Sequence, residues 1–360
     1  MTATTTEERA PTAAAAPTGR RRGLSPERVK EFTLLGLIVV SLVLFNVVID
    51  NYLEGRLFNR IQISVAITAL LAAGEAVVII ARHIDLSVGS ILGVSAFVTG
   101  EVLTSQPDLP PVLAILLAVA IGAVLGLING LLVAYAKVPS IIVTLGTLAI
   151  YRAVLTEIAG GSTIVTNDLP DWLVDLPRSS IGGWGGFDLR TMFIVALAAA
   201  LVLQLVLARL RGGRILYAVG SNPDAARQAG LPQALTVLVA FTVCGALAGL
   251  AGFMFLGQFG TVNVTAGAGF ELAAVAAAVV GGVSIQGGSG TVIGALLGAI
   301  LIEILDLSLV RVPQVSEFWR DAILGVLIIG AVILDVVVNK RYRRRVAAQT
   351  AALRSGAGHA

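Results

Sequence analysis

Charge is what this sequence has least of. Over 360 residues, Asp, Glu, Lys and Arg together make up 13%, about half their share in an ordinary soluble domain. So little charge excludes a water-facing surface over most of the chain. Aromatic residues are scarce too, at 6%, which argues against a soluble core filled by large rings. A single cysteine, Cys244, excludes a disulfide framework and a thiolate metal cluster. Two histidines, His83 and His359, are too few for a histidine-based metal site. No G-x-x-x-x-G-K-[ST] run occurs anywhere, so the chain carries no phosphate-cradling P-loop of its own. If ATP is used, another polypeptide must hydrolyse it.

What is present is apolar. Hydrophobic residues reach 56%, glycines number 40, and the mean hydropathy is +0.91. This is the composition of an integral membrane protein. The pI of about 9.3 does not point to nucleic acid, because the basic residues fall between apolar segments, where they set orientation in a bilayer. A hydrocarbon core about 30 Å thick takes about 20 helical residues. On that ruler, spans are predicted near 32–49, 63–81, 86–104, 112–136, 140–158, 191–209, 234–257, 270–284, 291–308 and 322–338. The fold class is therefore all-α, a polytopic bundle of about ten spans. The stretch at 270–284 is short for a full crossing and suits a re-entrant or tilted half-helix, whose non-helical backbone must be buried in protein.

Residues 1–31 lack apolar periodicity and read as a disordered cytoplasmic tail. Residues 32–340 form the membrane domain, and 341–360 a basic C-terminal tail. The first apolar stretch is too long for a signal-peptide core and has no small-residue cleavage pattern before Asp50, so it reads as an uncleaved span. With ten spans both termini lie on one side, and 18 of the 25 Lys and Arg fall in the segments assigned to it. That bias makes both termini cytoplasmic. The longest outward loop, 159–190, carries Asp168, Asp171, Asp175 and Asp188.

Small residues mark where helices meet, because in lipid only close backbone approach and polar contacts hold them together. Gly122, Gly126 and Gly130 share one helix face, Gly290, Gly294 and Gly298 another, and Gly245 with Gly249 a third. A compact bundle follows, which leaves transporter, channel or embedded enzyme. Polar groups at depth are few. Glu75, in AAGEAVVII, is the one acid read deep in a span; it either lines an aqueous path or is satisfied by a neighbour. Arg152 reads as a side chain near a boundary that snorkels. Asn129 and Thr144 read as interhelical hydrogen-bond partners or as path-lining groups. No titratable pair has spacing suited to acid–base or nucleophilic work.

The most informative segment lies on the cytoplasmic side, Gly212 to Pro232. Ser221 or Asn222 can cap a helix, Pro223 suits its first position, Asp224 suits its positive end and Gly230 its C′ position. The punctuation predicts a two-turn helix over 224–229. So short a helix needs something to pack on, and Ala225, Ala226 and Ala229 offer a small-residue face for docking in a groove. Asp85 or Ser87 is placed to cap the third span, ahead of Gly89. Gly281, Gly282, Gly287 and Gly288 fall in a glycine-rich reversal over 281–290.

Four runs carry a resemblance: IDLSVGS (84–90), VPSIIVTLGTLAIYRA (138–153), GRILYAVGSNPDAARQAG (213–230) and AVAAAVVGGVSIQGGSGTVIGALLGA (274–299). In this order they resemble the permease subunit of the ribose-type branch of ABC sugar importers, over about 32–340. ARHIDLSVGSILGVSAFV and LVRVPQVSEFWRDAILG look closest to its rhamnose and autoinducer-2 members. Glu75 departs from that pattern, since an uncharged residue is expected there in many relatives.

The resemblance implies the importer permease fold in the bacterial inner membrane, and a translocation path formed by two permeases, identical or related. It implies a cytoplasmic ABC ATPase docked at 213–230, with Arg214, Tyr217, Gly220, Asn222, Ala225, Ala226 and Gly230 as coupling residues. An extracytoplasmic binding protein would deliver the sugar. The permease would bind no cofactor itself, its ATP being used by the partner ATPase. The competing expectation is a stand-alone secondary transporter or channel for a small polar solute, working through its own intramembrane acids.

Overall fold

The computed structural model describes residues 26–184 and 187–312, with isolated positions between 319 and 333. In chain order the helices are α1 (Pro26–Val48), α2 (Gly55–Ile80), α3 (Val88–Ser105), α4 (Pro111–Ala134), α5 (Ser140–Ala159), α6 (Asp171–Val174), α7 (Thr191–Arg209), α8 (Arg211–Ser221), α9 (Pro223–Gln228), α10 (Gln233–Phe259), α11 (Phe270–Val280) and α12 (Val292–Leu309). Eight of them are long and apolar enough to cross a membrane: α1, α2, α3, α4, α5, α7, α10 and α12. They match eight of the ten spans expected from composition, and the all-α bundle is the fold. The tenth expected span, 322–338, lies mostly outside the described residues, as do the C-terminal tail and residues 1–25 of the N-terminal tail. The expected tail over 1–31 is helical from Pro26, because the backbone of α1 starts ahead of its apolar stretch.

α2 is the centre of the bundle. Eighteen of its 26 residues are buried, and α7, α10, α11 and α12 all pack on it. The glycine faces do what their spacing predicts. A Cβ on Gly122 would strike the Gly245 carbonyl oxygen, and one on Gly249 the Ala118 carbonyl oxygen, so α4 and α10 touch backbone to backbone. Gly298 lies equally close to Ala277, which joins α12 to α11. Dispersion and close approach, not hydrophobic drive, hold such seams in lipid.

α11 is a half-helix. Its 11 residues, at about 1.5 Å each, span about 16 Å, roughly half the hydrocarbon thickness. The remaining stretch, 260–269, has no helix and still must satisfy its backbone at depth. Val262 pairs with Ile164 in an antiparallel bridge. The Arg152 guanidinium donates to the carbonyls of Val264, at 3.0 Å, and Ala266, at 2.6 Å. Arg152 therefore does not snorkel; from α5 it supplies donors to two carbonyls of the irregular segment.

The segment 159–190 is not a plain loop. It holds α6 and a two-stranded antiparallel hairpin, β1 (Ser180–Trp184) and β2 (Phe187–Arg190). Gln62 of α2 clamps the hairpin: its Nε2 donates to the Asp188 carbonyl at 2.8 Å, and its Oε1 accepts from the Arg190 N–H at 3.1 Å.

Candidate functional site

At one end of the bundle, three segments meet: the end of α2, the end of α8, and the glycine-rich turn 281–290. Gly288 N–H donates to the Ile80 carbonyl at 2.9 Å. The Tyr217 hydroxyl donates to the Gly290 carbonyl at 2.8 Å, and Arg82 Nε to the Gln286 carbonyl at 2.6 Å. Gly220 is buried, and a Cβ there would run into the Ile80 carbonyl. Gly288 sits at φ +71° with the Ser221 backbone against it, a position closed to any side chain. Gly287 packs beside Arg82 and Gly220, Gly282 beside Lys30, and Gly281 against Gly294. The turn is therefore a docking plate for α8, not a phosphate cradle.

α8 is a helix that the sequence pattern of punctuation did not announce. Its signal is the apolar spacing of Leu216 and Val219, which are buried, while Arg214 stays exposed. α9 follows the expectation closely. Asn222 caps it, its Oδ1 accepting the Ala225 N–H at 3.0 Å. At the other end the Gly230 N–H donates to the Arg227 carbonyl and the Leu231 N–H to the Ala226 carbonyl, both at 3.0 Å. With Gly230 at φ +72°, this is a complete Schellman closure. The expected small-residue face is split, however. Ala226 is buried at 4% exposure, because it packs inward on its own chain, whereas Ala225, Arg227 and Ala229 are exposed.

Deeper along α2 lies a closed knot of polar groups. The Asp85 N–H donates to Glu75 Oε1 at 3.1 Å. Asp85 Oδ1 accepts from the Ser87 N–H at 2.9 Å and from the Ser87 hydroxyl at 2.6 Å. Asn129 Nδ2 donates to Ser87 Oγ at 2.8 Å, and its Oδ1 accepts from the Tyr151 hydroxyl at 3.3 Å. Thr144 Oγ1 donates to the carbonyls of Ser140, at 2.9 Å, and Ile84, at 3.3 Å. Burial pushes the Asp85 carboxyl above the usual carboxylate range, and the bonds from Ser87 and Asn129 oppose it. Neither Asp85 nor Ser87 caps α3 with its side chain; Asp85 instead folds the 81–87 turn back on itself. Gly89 opens α3 against Gly267 of the irregular segment.

Glu75, Asn129 and Thr144 are all 0% exposed, and none borders the cavity described next. Each of these three expected path residues spends polar atoms on the 81–87 turn or its neighbours.

A cavity of about 710 Å³ opens near the other end of α2, among α2, α10, α11 and α12. Its polar lining is Arg60, Ser64, Gln258, Glu303 and Asp306. Glu303 accepts from the Thr68 hydroxyl. Reading Glu75 as the single deep acid overlooked Glu303 and Asp306, both inside the expected span 291–308. The signal was in the sequence: two acids three apart in LIEILDLSL share one helix face.

Comparison with known proteins agrees with this architecture. The family described as "Branched-chain amino acid transport system / permease component" matches residues 57–332. The autoinducer 2 import system permease protein LsrC of Salmonella typhi is 36% identical over 308 residues, 85% of each chain. The LsrC of Enterobacter sp. (strain 638) is 39% identical over 84% of this chain and 86% of its own. That of Escherichia coli O9:H4 (strain HS) is 37% identical over 85% and 86%.

Proposed function

This chain belongs to the branched-chain amino acid transport system / permease component family, a multi-pass membrane permease of the ABC sugar importer type, and from that premise we propose how it is driven and what it carries. It imports a small carbohydrate-derived solute of the autoinducer-2 or monosaccharide class, the cargo named for its relatives being autoinducer 2. Members of such importers work with an ATPase and a binding protein. Here the ATPase docks on the exposed side of α9, two permease copies enclose the path, and the binding protein delivers solute near the β1–β2 hairpin. Both termini face the cytoplasm. This chain binds no nucleotide or other cofactor; the partner ATPase uses the ATP.

The observation that carries the reading is the junction of α8, α2 and the glycine turn. α9 is closed by caps at both ends, and α8 touches α2 with no side chain between Gly220 and the Ile80 carbonyl. A push on α9 therefore reaches the end of α2, ten residues or fewer from the Glu75–Asp85 knot, through backbone contacts that have no slack. The test is co-purification. Ala225→Trp adds bulk on the exposed side of α9; overpacking of about 1–3 kcal/mol weakens ATPase capture about 5- to 150-fold. The chain itself folds normally, and uptake of labelled solute falls with capture. Normal capture and uptake would remove α9 from the interface.

A further inference from the structure

The lining of the cavity near the hairpin end of α2 is unlike that of a lipid-facing groove. Five polar side chains from three helices converge on it: Arg60 and Ser64 from α2, Gln258 from α10, Glu303 and Asp306 from α12. We propose that it is a binding site of the permease itself for a small polyhydroxylated solute, occupied between delivery by the binding protein and release on the far side. The proposal rests on the importer reading above and deepens it.

Each part of the lining answers to a polyol. Glu303 and Asp306 lie one helical turn apart on one face, and ionised carboxylates only accept, which suits the hydroxyl donors of a diol. Gln258 Oε1 is buried and has no hydrogen-bond partner among the described residues. A buried acceptor left in this state is costly, so a donor from the ligand is the natural complement. Thr68 holds one oxygen of Glu303 by its hydroxyl, which fixes the carboxylate before the ligand arrives. Arg60 supplies donors for ligand ring or carbonyl oxygens, and its charge at the same cavity opposes a metal cation. Phe270 offers an apolar face for the C–H side of a sugar ring. A volume of about 710 Å³ falls within the few hundred to a thousand Å³ usual for small-molecule sites. An acyl chain brings no donor to Gln258 or the two acids, which sets a lipid tail aside. The hairpin end also fits the route, because Pro177, just before β1, lines the cavity and Gln62, two residues from Arg60, anchors β2.

The test uses the assembled importer, permease with ATPase and binding protein, in proteoliposomes, with labelled autoinducer 2 and labelled pentoses and deoxyhexoses as probes. Gln258→Leu and Asp306→Asn each remove one hydrogen-bonding function, and Ala273→Phe fills the cavity. Expected is a loss of uptake rate of about tenfold for each of the first two, the scale of one buried hydrogen bond, and near-complete loss for the third, with ATPase capture unchanged. A second reading does not depend on turnover. The single native cysteine, Cys244, is buried, so Ser64→Cys gives one reactive thiol at the cavity. The transported solute should protect it from a small water-soluble thiol reagent, and not protect Ser105→Cys on the exposed end of α3. If the wild-type importer accumulates solute but the three variants match it and Ser64→Cys is never protected, the cavity is not a solute site while the importer reading stands. If the wild type accumulates none of the probes, the importer reading fails and this proposal falls with it. Loss of Ser64→Cys reactivity in lipid with no solute present would make the cavity a lipid site and overturn the proposal as well.

Discussion

Two groups of polar side chains sit along the same helix and use their chemistry in opposite ways. Near the end of α2, Glu75, Asp85, Ser87, Asn129 and Thr144 are 0% exposed and bonded to one another or to the 81–87 turn. Near its start, Arg60, Ser64, Gln258, Glu303 and Asp306 surround open volume. Residue types are almost the same in both groups. What differs is whether the groups close on one another or face open volume. In a bundle with no water to fall back on, a closed set of partners is architecture, and a set built around a cavity is available for a ligand.

The sharpest way to break that contrast is Asp85→Leu. It strips the acceptor from the Ser87 N–H, the Ser87 hydroxyl and the Asn129 amide at once. Buried donors left bare cost about 1–3 kcal/mol each, so folded, monodisperse protein should be lost, as read by size-exclusion yield. Next in size is Gly288→Val. The left-handed backbone and the adjoining Ser221 backbone make this cost about 1–3 kcal/mol or more; α8 should detach from α2, with proteolysis between α8 and α9 and loss of ATPase capture. At the open group, Arg60→Ala should abolish most uptake while moving thermal stability by less than about 0.5 kcal/mol, the usual range for a side chain without a packing role. If it destabilises the chain as Asp85→Leu does, the distinction between the two groups fails.

The smallest effect belongs to Glu75. In Glu75→Gln the amide oxygen still accepts from the Asp85 N–H, so stability and uptake should both stay near wild type. In Glu75→Leu that N–H is left unpaired, at about 1–3 kcal/mol, seen as a lower melting temperature. A large uptake defect in Glu75→Gln with intact folding would return Glu75 to a hydrated path.

Much of the α9 unit was legible because capping is local chemistry. Asn222, Pro223 and Gly230 act within a few residues of themselves, and each occupies the place its type suggests. Arg152 was misread for the opposite reason. Its partners, the carbonyls of Val264 and Ala266, lie more than a hundred residues away, and a basic residue in an apolar run gives no sign of an irregular segment beside it. The β1–β2 hairpin was missed because its glycines in IGGWGGFD carry little apolar alternation, and its anchor is Gln62, on another element.

The sequence by itself determined that the chain lies in a membrane, where eight of its spans lie, and which glycine faces pack against neighbours. Those follow from the energy of moving side chains into lipid and from helix periodicity, both readable one segment at a time. Only the tertiary structure decided that Ala226 faces inward, that Glu75 is enclosed, and that Glu303 and Asp306 face a cavity with Gln258. Whether a polar group at depth is a fixture or a site depends on what other helices bring to it, and that is a property of packing, which no single segment contains.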